Sequence, residues 1–242
     1  MNSSLSRNLH SVNDQVSEAI ARAGRAKDSV KLIAVSKTCT AEVVAAAARA
    51  GQWVFGENRV QEALDKQAAL EAQSGNLPPL EWHLIGHLQS NKARFVPAAF
   101  KWVHTIDSVE IARRISDAAL RAGLVCNALI QVNVADDPAK HGIEASELFP
   151  LVEAVHGAEL SGLALRGLMT IGKLNATEAE ARHAFARLRS LRDRLREQPG
   201  MAAFNELSMG MSSDFPLAIA EGATMIRVGS AIFGERKDSR LG

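Results

Sequence analysis

The sequence predicts an α/β protein: a single-domain (β/α)8 TIM barrel with an extra helix before its first strand. Three observations predict it. Short apolar runs rich in β-branched residues recur about eight times along the chain. Helix-like stretches alternate with them. The length of 242 residues falls near the roughly 250 typical of such a barrel. The alternation implies parallel strands, because each crossover needs a helix to carry the chain back to the same edge. With 47% hydrophobic residues the chain can bury one large core, and residues 1–242 are expected to form one domain.

Taken in order, residues 4–23 read as the extra helix and Lys31-Leu32-Ile33-Ala34-Val35-Ser36 as the first strand. An alanine-rich helix over 41–50, a strand over 53–55, a helix over 58–73 and a strand over 82–85 follow. Gln73-Ser74-Gly75-Asn76-Leu77-Pro78-Pro79 is the clearest loop and joins a helix to a strand without the look of a domain linker. The weakest crossover is 86–101, where Gly86, Pro97 and a short basic segment leave little helix. A strand at 102–106 leads into a helix over 108–122, opened by Asp107 with Glu110 and closed by Gly123. A strand at 127–134 is apolar but admits Gln131 and Asn133, as suits residues pointing into a barrel or toward its mouth. The remaining pattern is helix 144–156, strand 163–169, helix 177–197, strand 204–208, helix 213–221 and strand 224–228. Thr177 with Glu180 forms a capping box, and Pro199-Gly200 ends that helix.

Composition excludes several classes. Lys and Arg total 28 against 27 Asp plus Glu, so neither nucleic acid nor an acidic membrane surface is an expected partner. No segment approaches the roughly 18 apolar residues of a membrane span, and the start of the chain lacks the apolar stretch of a signal peptide, so a cytoplasmic protein is expected. Cys39 and Cys126 lack ligand or disulfide spacing and read as reduced, structural thiols. His83 and His87 stand four apart, but Leu84-Ile85-Gly86 between them reads as strand and turn, so no metal site is expected. The other histidines, His104 among them, read as surface or hydrogen-bonded residues, and Lys140 as a solvated loop lysine.

The chemistry gathers at strand ends. Functional groups of such barrels sit at the C-terminal ends of strands, with phosphate bound by the loops after strands seven and eight. Lys37 closes the first strand, Ser208-Met209-Gly210-Met211-Ser212 follows the seventh, and Gly229-Ser230 follows the eighth. Small residues let a phosphate approach backbone N–H groups, and serine hydroxyls add donors. An amine beside such turns suits a phosphate cofactor held as a Schiff base, with pyridoxal 5'-phosphate the leading candidate. An ordinary lysine is only about 0.04% neutral at pH 7, so partial burial at the mouth would favour attack on an aldehyde. The plainer account of Lys37 is an ion pair at a strand end. Arg227 ends strand eight; facing a pyridine nitrogen it would hold that nitrogen unprotonated and blunt the ring as an electron sink, and otherwise it is a structural ion pair.

Between residues 31 and 236 the chain resembles the pyridoxal-phosphate-binding homeostasis proteins, the YggS/PROSC-type group with an alanine-racemase-like barrel. The resemblance is carried by Ala34-Val35-Ser36-Lys37, Phe55-Gly56-Glu57-Asn58, Trp82-His83-Leu84-Ile85-Gly86, Leu88-Gln89-Ser90-Asn91-Lys92, His104-Thr105-Ile106-Asp107, Arg166-Gly167-Leu168-Met169, Leu207 through Ser212, and Arg227 through Gly234. Arg59 and His87 depart from the usual tyrosine and proline. The resemblance implies a barrel of the alanine-racemase N-terminal-domain type and a cofactor imine on Lys37. It places Asn58 near the ring, Arg227 beside the pyridine nitrogen, and the phosphate on Ser208, Met209, Gly210, Gly229 and Ser230. It also implies a protein without established catalytic turnover that buffers the cofactor or delivers it to other enzymes; apo pyridoxal-phosphate enzymes are the expected recipients and a monomer the expected state. The competing enzyme is an amino-acid racemase, which needs a tyrosine as second base from another domain, and this chain has none. An aldolase-type barrel joining its lysine directly to a carbonyl substrate is a third reading; it would be colourless where a cofactor imine absorbs visible light.

Overall fold

A computed structural model describes residues 3–73, 77–135, 141–173 and 175–234. Lys140 and part of the loop at 73–79 lie outside the described residues. The chain runs α1 (Ser3–Arg22), β1 (Lys31–Val35), α2 (Ala41–Arg49), β2 (Val54–Glu57), α3 (Val60–Ala72), β3 (Glu81–Leu84), α4 (Val96–Ala99), β4 (Trp102–Ile106) and α5 (Val109–Arg121). It continues through β5 (Cys126–Asn133), β6 (Ile143–Glu144), α6 (Leu148–Gly157), β7 (Leu163–Met169), α7 (Glu178–Arg196), β8 (Glu206–Ser208), α8 (Phe215–Ala220), β9 (Met225–Val228) and α9 (Ser230–Phe233).

The strands pair in the order β4-β3-β2-β1-β9-β8-β7-β5, all parallel, and β4 pairs back with β5 to close an eight-stranded barrel. The two-residue β6 adds to the far end of β5 and is no part of the ring. The expected barrel and its extra N-terminal helix are therefore present.

Strand alternation divides the core. Leu32, Ala34, Phe55, Leu84 and Val103 face the helices. Ile33, Trp102, Leu129, Met169 and Met225 fill the barrel interior, with Val54 and Ile171 packed against them. Helix α1 buries Leu5, Leu9, Val12, Val16 and Ile20 on one stripe, the spacing of a 3.6-residue period. That stripe packs on α8 and α9, and Arg25 beyond it donates to the Ile219 and Ala223 carbonyls at 2.9 and 2.7 Å. Burial of those five side chains stabilises the docking of α1 by about 1.5–3 kcal/mol each.

The crossover at 86–101 holds more helix than its composition suggests: a 3-10 turn (Ser90–Phe95) runs into α4. Pro97 sits in the first turn of α4, where its missing N–H costs nothing. The helix expected over 144–156 starts later, after β6 and a 3-10 turn (Ala145–Glu147).

Candidate functional site

Neighbouring strands set the rim. In β1 and β2, Val35 is aligned with Gly56, and Ser36 N–H donates to the Gly56 carbonyl at 3.1 Å. Two residues further on, Lys37 and Asn58 leave the sheet at one level, both half-buried. On the other side Ala34 is aligned with Val228, which brings Gly229 and Ser230 out beside Val35 and Ser36. Lys37 shares the parity of Ile33, whose side chain points into the barrel. Asn58, Lys37, Gly229 and Ser230 thus occupy one arc of the mouth.

The turn that carries Lys37 is fixed from behind. Thr38 has φ 66°, a left-handed conformation that β-branched residues rarely adopt. Its N–H donates to Glu62 at 2.5 Å. Ser36 is buried, and its hydroxyl donates to Glu57 Oε1 at 2.7 Å. Lys66 donates to the same oxygen at 2.5 Å and to the Ser36 carbonyl at 2.8 Å. Glu57 Oε2 has no hydrogen-bond partner among the described residues. Burial pushes the Glu57 carboxyl above its usual range, while the hydrogen bonds from Lys66 and Ser36 pull the other way. Gly86 completes this wall: a Cβ there would lie 2.2 Å from the Asn58 carbonyl oxygen, so only glycine lets the turn after β2 pass so close.

Beside Lys37 on the same arc, the turns after β8 and β9 meet at Ser212. Its hydroxyl accepts from the N–H groups of Gly229 at 3.3 Å and Ala231 at 3.5 Å. Two backbone donors thus converge on one oxygen in a small cradle, the kind of backbone arrangement that can receive an anion. Gly210, with φ 92°, turns the chain toward it. Ser208 and Met209 lie deeper. The Ser208 hydroxyl is buried between His104 and Arg227, the Met209 side chain is fully buried in the outer core, and Met209 N–H donates to the Met225 carbonyl at 3.1 Å. Strand parity separates the two, since Ser208 alternates with Glu206 toward the interior and Met209 with Leu207 toward the helices.

Arg227 points into the barrel below the cradle. Its guanidinium donates to Ser208 Oγ at 2.6 Å and to the Thr170 carbonyl at 2.7 Å. Burial pulls its pKa down to about 10, against the opposing pull of Asp214, so it stays charged at neutral pH. The residues the sequence left out of the site are Ser212, whose serine stands within the motif already noted, and the buried pair His83 and His104. Polar residues at alternate positions of strands buried on both faces were the available signal for that pair.

A closed parallel barrel with an amine and small-residue turns on one rim is an alanine-racemase-type barrel, and residues 8–237 match the family model "Alanine racemase, N-terminal domain". Alanine racemase of Clostridium difficile superposes with TM-score 0.75 over 98% of this chain and 58% of that one, at 14% identity, a likeness of fold. The chain belongs to the pyridoxal phosphate homeostasis protein family. It is 43% identical to the Vibrio cholerae protein of that name over 238 residues, covering 98% of each, and 43% identical to that of Escherichia coli over 243 residues, again covering 98% of each. PipY of Synechococcus elongatus, solved with PLP bound, is 40% identical, covers 95% of this chain and 100% of its own, and superposes with TM-score 0.82.

Proposed function

We propose that this chain binds pyridoxal 5'-phosphate at the barrel mouth through Lys37 and serves to store and hand on that cofactor without catalysing a reaction of its own. The single observation that carries the reading is the pairing, on adjacent strand ends, of a half-buried lysine with the cradle in which Gly229 and Ala231 N–H groups converge on Ser212. The donor set fits the group. Gly210, Gly229, Ser230 and Ser212 would hold the phosphate, with Ser208 and Met209 beneath as the supporting turn; Asn58 would lie beside the ring and Arg227 against its nitrogen. When bound, the cofactor supplies an aldehyde that condenses with an amine and a ring able to accept electrons.

The lack of a tyrosine base favours holding over turnover, and Arg227 sets the electronics of a bound ring without separating carrier from racemase. Arg227 has donors and no acceptor, and with a pKa of about 10 it keeps its proton at neutral pH. A ring nitrogen placed against it stays unprotonated and withdraws electrons weakly. Glu57, Lys66 and Glu62 hold the Lys37 turn in place. The chain contains no tyrosine, so the second base of a tyrosine-dependent racemase is missing. PipY with PLP bound and the names of the relatives support the same reading.

The proposal extends to a one-domain monomer acting in the cytoplasm, with apo pyridoxal-phosphate enzymes as recipients. Among the described residues no helix is long and apolar enough to cross a membrane. Protein mixed with pyridoxal phosphate should develop a visible absorption band that Lys37→Ala lacks, and should restore activity to an apo-enzyme on mixing. Racemisation of L-amino acids well above the rate of free cofactor, or an unchanged band in Lys37→Ala, would overturn the reading.

A further inference from the structure

The interior of this barrel is more polar than packing requires. Such interiors are ordinarily filled by branched apolar side chains, yet His83, His104 and Ser208 are wholly buried here and Arg227 is 5% exposed. They form one chain of contacts with Glu81 and Lys31 at the opposite end. Lys31 Nζ lies 2.5 Å from Glu81 Oε1, and Glu81 Oε1 lies 2.9 Å from His83 Nε2. His83 Nδ1 is 2.8 Å from His104 Nε2, and His104 Nδ1 is 2.9 Å from Ser208 Oγ. Ser208 Oγ then meets Arg227 at 2.6 Å.

Chemistry at the two ends fixes the direction of every proton between them. A guanidinium can only donate and a carboxylate can only accept. Glu81 is ionised, held well below the usual carboxylate range by His83 first and then by Lys31, so His83 must carry its hydrogen on Nε2. Burial keeps both imidazoles neutral. His83 Nδ1 is therefore an acceptor, His104 must donate from Nε2, and Ser208 must donate to His104 Nδ1 while accepting from Arg227. Neither hydrogen-bonded partner of Arg227, the Ser208 hydroxyl and the Thr170 carbonyl, is charged. The aligned bonds link this buried cation to the carboxylate at the barrel floor, each polarising the next.

We propose that Glu81, His83, His104 and Ser208 are positioning residues, a one-directional hydrogen-bond relay through the barrel that fixes the Arg227 guanidinium against the ring nitrogen of pyridoxal phosphate. This rests on the reading of the mouth as a pyridoxal-phosphate site. Its function would explain why a polar column that costs desolvation stands where apolar residues would pack more cheaply.

Two measurements test it, the first without cofactor. In protein labelled with 15N at histidine, NMR at pH 7 should show His83 and His104 neutral and protonated on Nε2, each assigned by its Gln variant; an imidazolium or an Nδ1-protonated ring at either position overturns the relay. The second uses the loaded protein. His104→Leu removes the acceptor for Ser208, and should shift the visible cofactor band and weaken pyridoxal phosphate binding about tenfold, the equivalent of about 1.4 kcal/mol. Attachment at Lys37, read by borohydride reduction and peptide mapping, should persist. His104→Gln, able to accept from Ser208 and donate to His83, should restore band and affinity. Should His104→Leu not fold, Glu81→Gln decides by the same band shift, since it keeps an acceptor for His83 and removes the charge. Unchanged band and affinity in a folded, loaded variant overturn the relay alone, whereas wild-type protein that takes up no pyridoxal phosphate overturns the site reading and the relay's role together.

Discussion

Lys66→Met isolates the buried carboxylate behind Lys37. The Glu57 side chain is 0% exposed and the Lys66 side chain 4%, and their contact is 2.5 Å. Methionine keeps the length of the stem and removes the charge, leaving Glu57 with the Ser36 hydroxyl alone. A lone buried carboxylate escapes by taking up a proton. From a reference value of 4.5, protonation at pH 7 costs about 1.36 kcal/mol for each of 2.5 pH units, or roughly 3.4 kcal/mol. That agrees with the about 3–5 kcal/mol expected when one partner of a buried pair is removed, and about 3.4 kcal/mol should lower Tm by about 7–14 °C in a chain of this size. The sign with pH follows from linkage. Burial already raises the wild-type carboxyl, and loss of the Lys66 ammonium raises it further, so above 4.5 the native variant holds a proton the unfolded state has lost, and its stability falls more steeply than wild type's as pH rises. The deficit should shrink between pH 7 and pH 5 by at most about 2.7 kcal/mol, the full linkage of one proton over two pH units. Urea denaturation of wild type, Lys66→Met and Lys66→Met/Glu57→Gln at both pH values measures this, with the double variant recovering more than half the loss. A deficit under about 1 kcal/mol at pH 7, with no dependence on pH, would mean that Lys66 does not hold a buried charge on Glu57.

The buried histidines give an acid limb: burial lowers the His83 pKa from 6.5 to about 4, so between those values the unfolded state binds the extra proton and native stability should fall by roughly 3 kcal/mol on acidification, a slope visible in urea melts and reduced in His83→Gln. Gly86→Ala drives a Cβ to 2.2 Å from the Asn58 carbonyl oxygen; a loss of about 1–3 kcal/mol in thermal melts is expected, with weaker pyridoxal phosphate uptake in titration, and wild-type values for both would count against Asn58 as a wall of the site. Burial pushes the Cys126 thiol up to about 12; a thiol reagent should therefore label half-buried Cys39 in the native protein and reach Cys126 only on unfolding, as mass spectrometry of the labelled peptides would report.

The ring of strands was legible because parallel strands buried on both faces read as short apolar runs at even spacing. The crossover at 86–101 was not, since Pro97 reads as a helix breaker and acts instead as a first-turn residue of α4. β6 and α9, at two and four residues, are too short to carry a periodic signal. At the mouth, counting strands was enough to bring Lys37, Gly229 and Ser230 to one rim. Ser208 and Met209 needed a further step: their parity places one side chain in the barrel interior and the other among the helices. The relay was hidden for a different reason. Glu81, His83, His104 and Arg227 lie on three strands, and the contacts that join them across the barrel exist only once it closes.

The site of covalent attachment decides whether this barrel holds pyridoxal phosphate as proposed. Borohydride reduction of the protein loaded with pyridoxal phosphate, followed by peptide mapping, should place the pyridoxyl mass on Lys37, with none elsewhere at one equivalent and none on the same peptide in Lys37→Ala. The mass on another lysine, or unmodified Lys37 in a fully loaded protein, would contradict it.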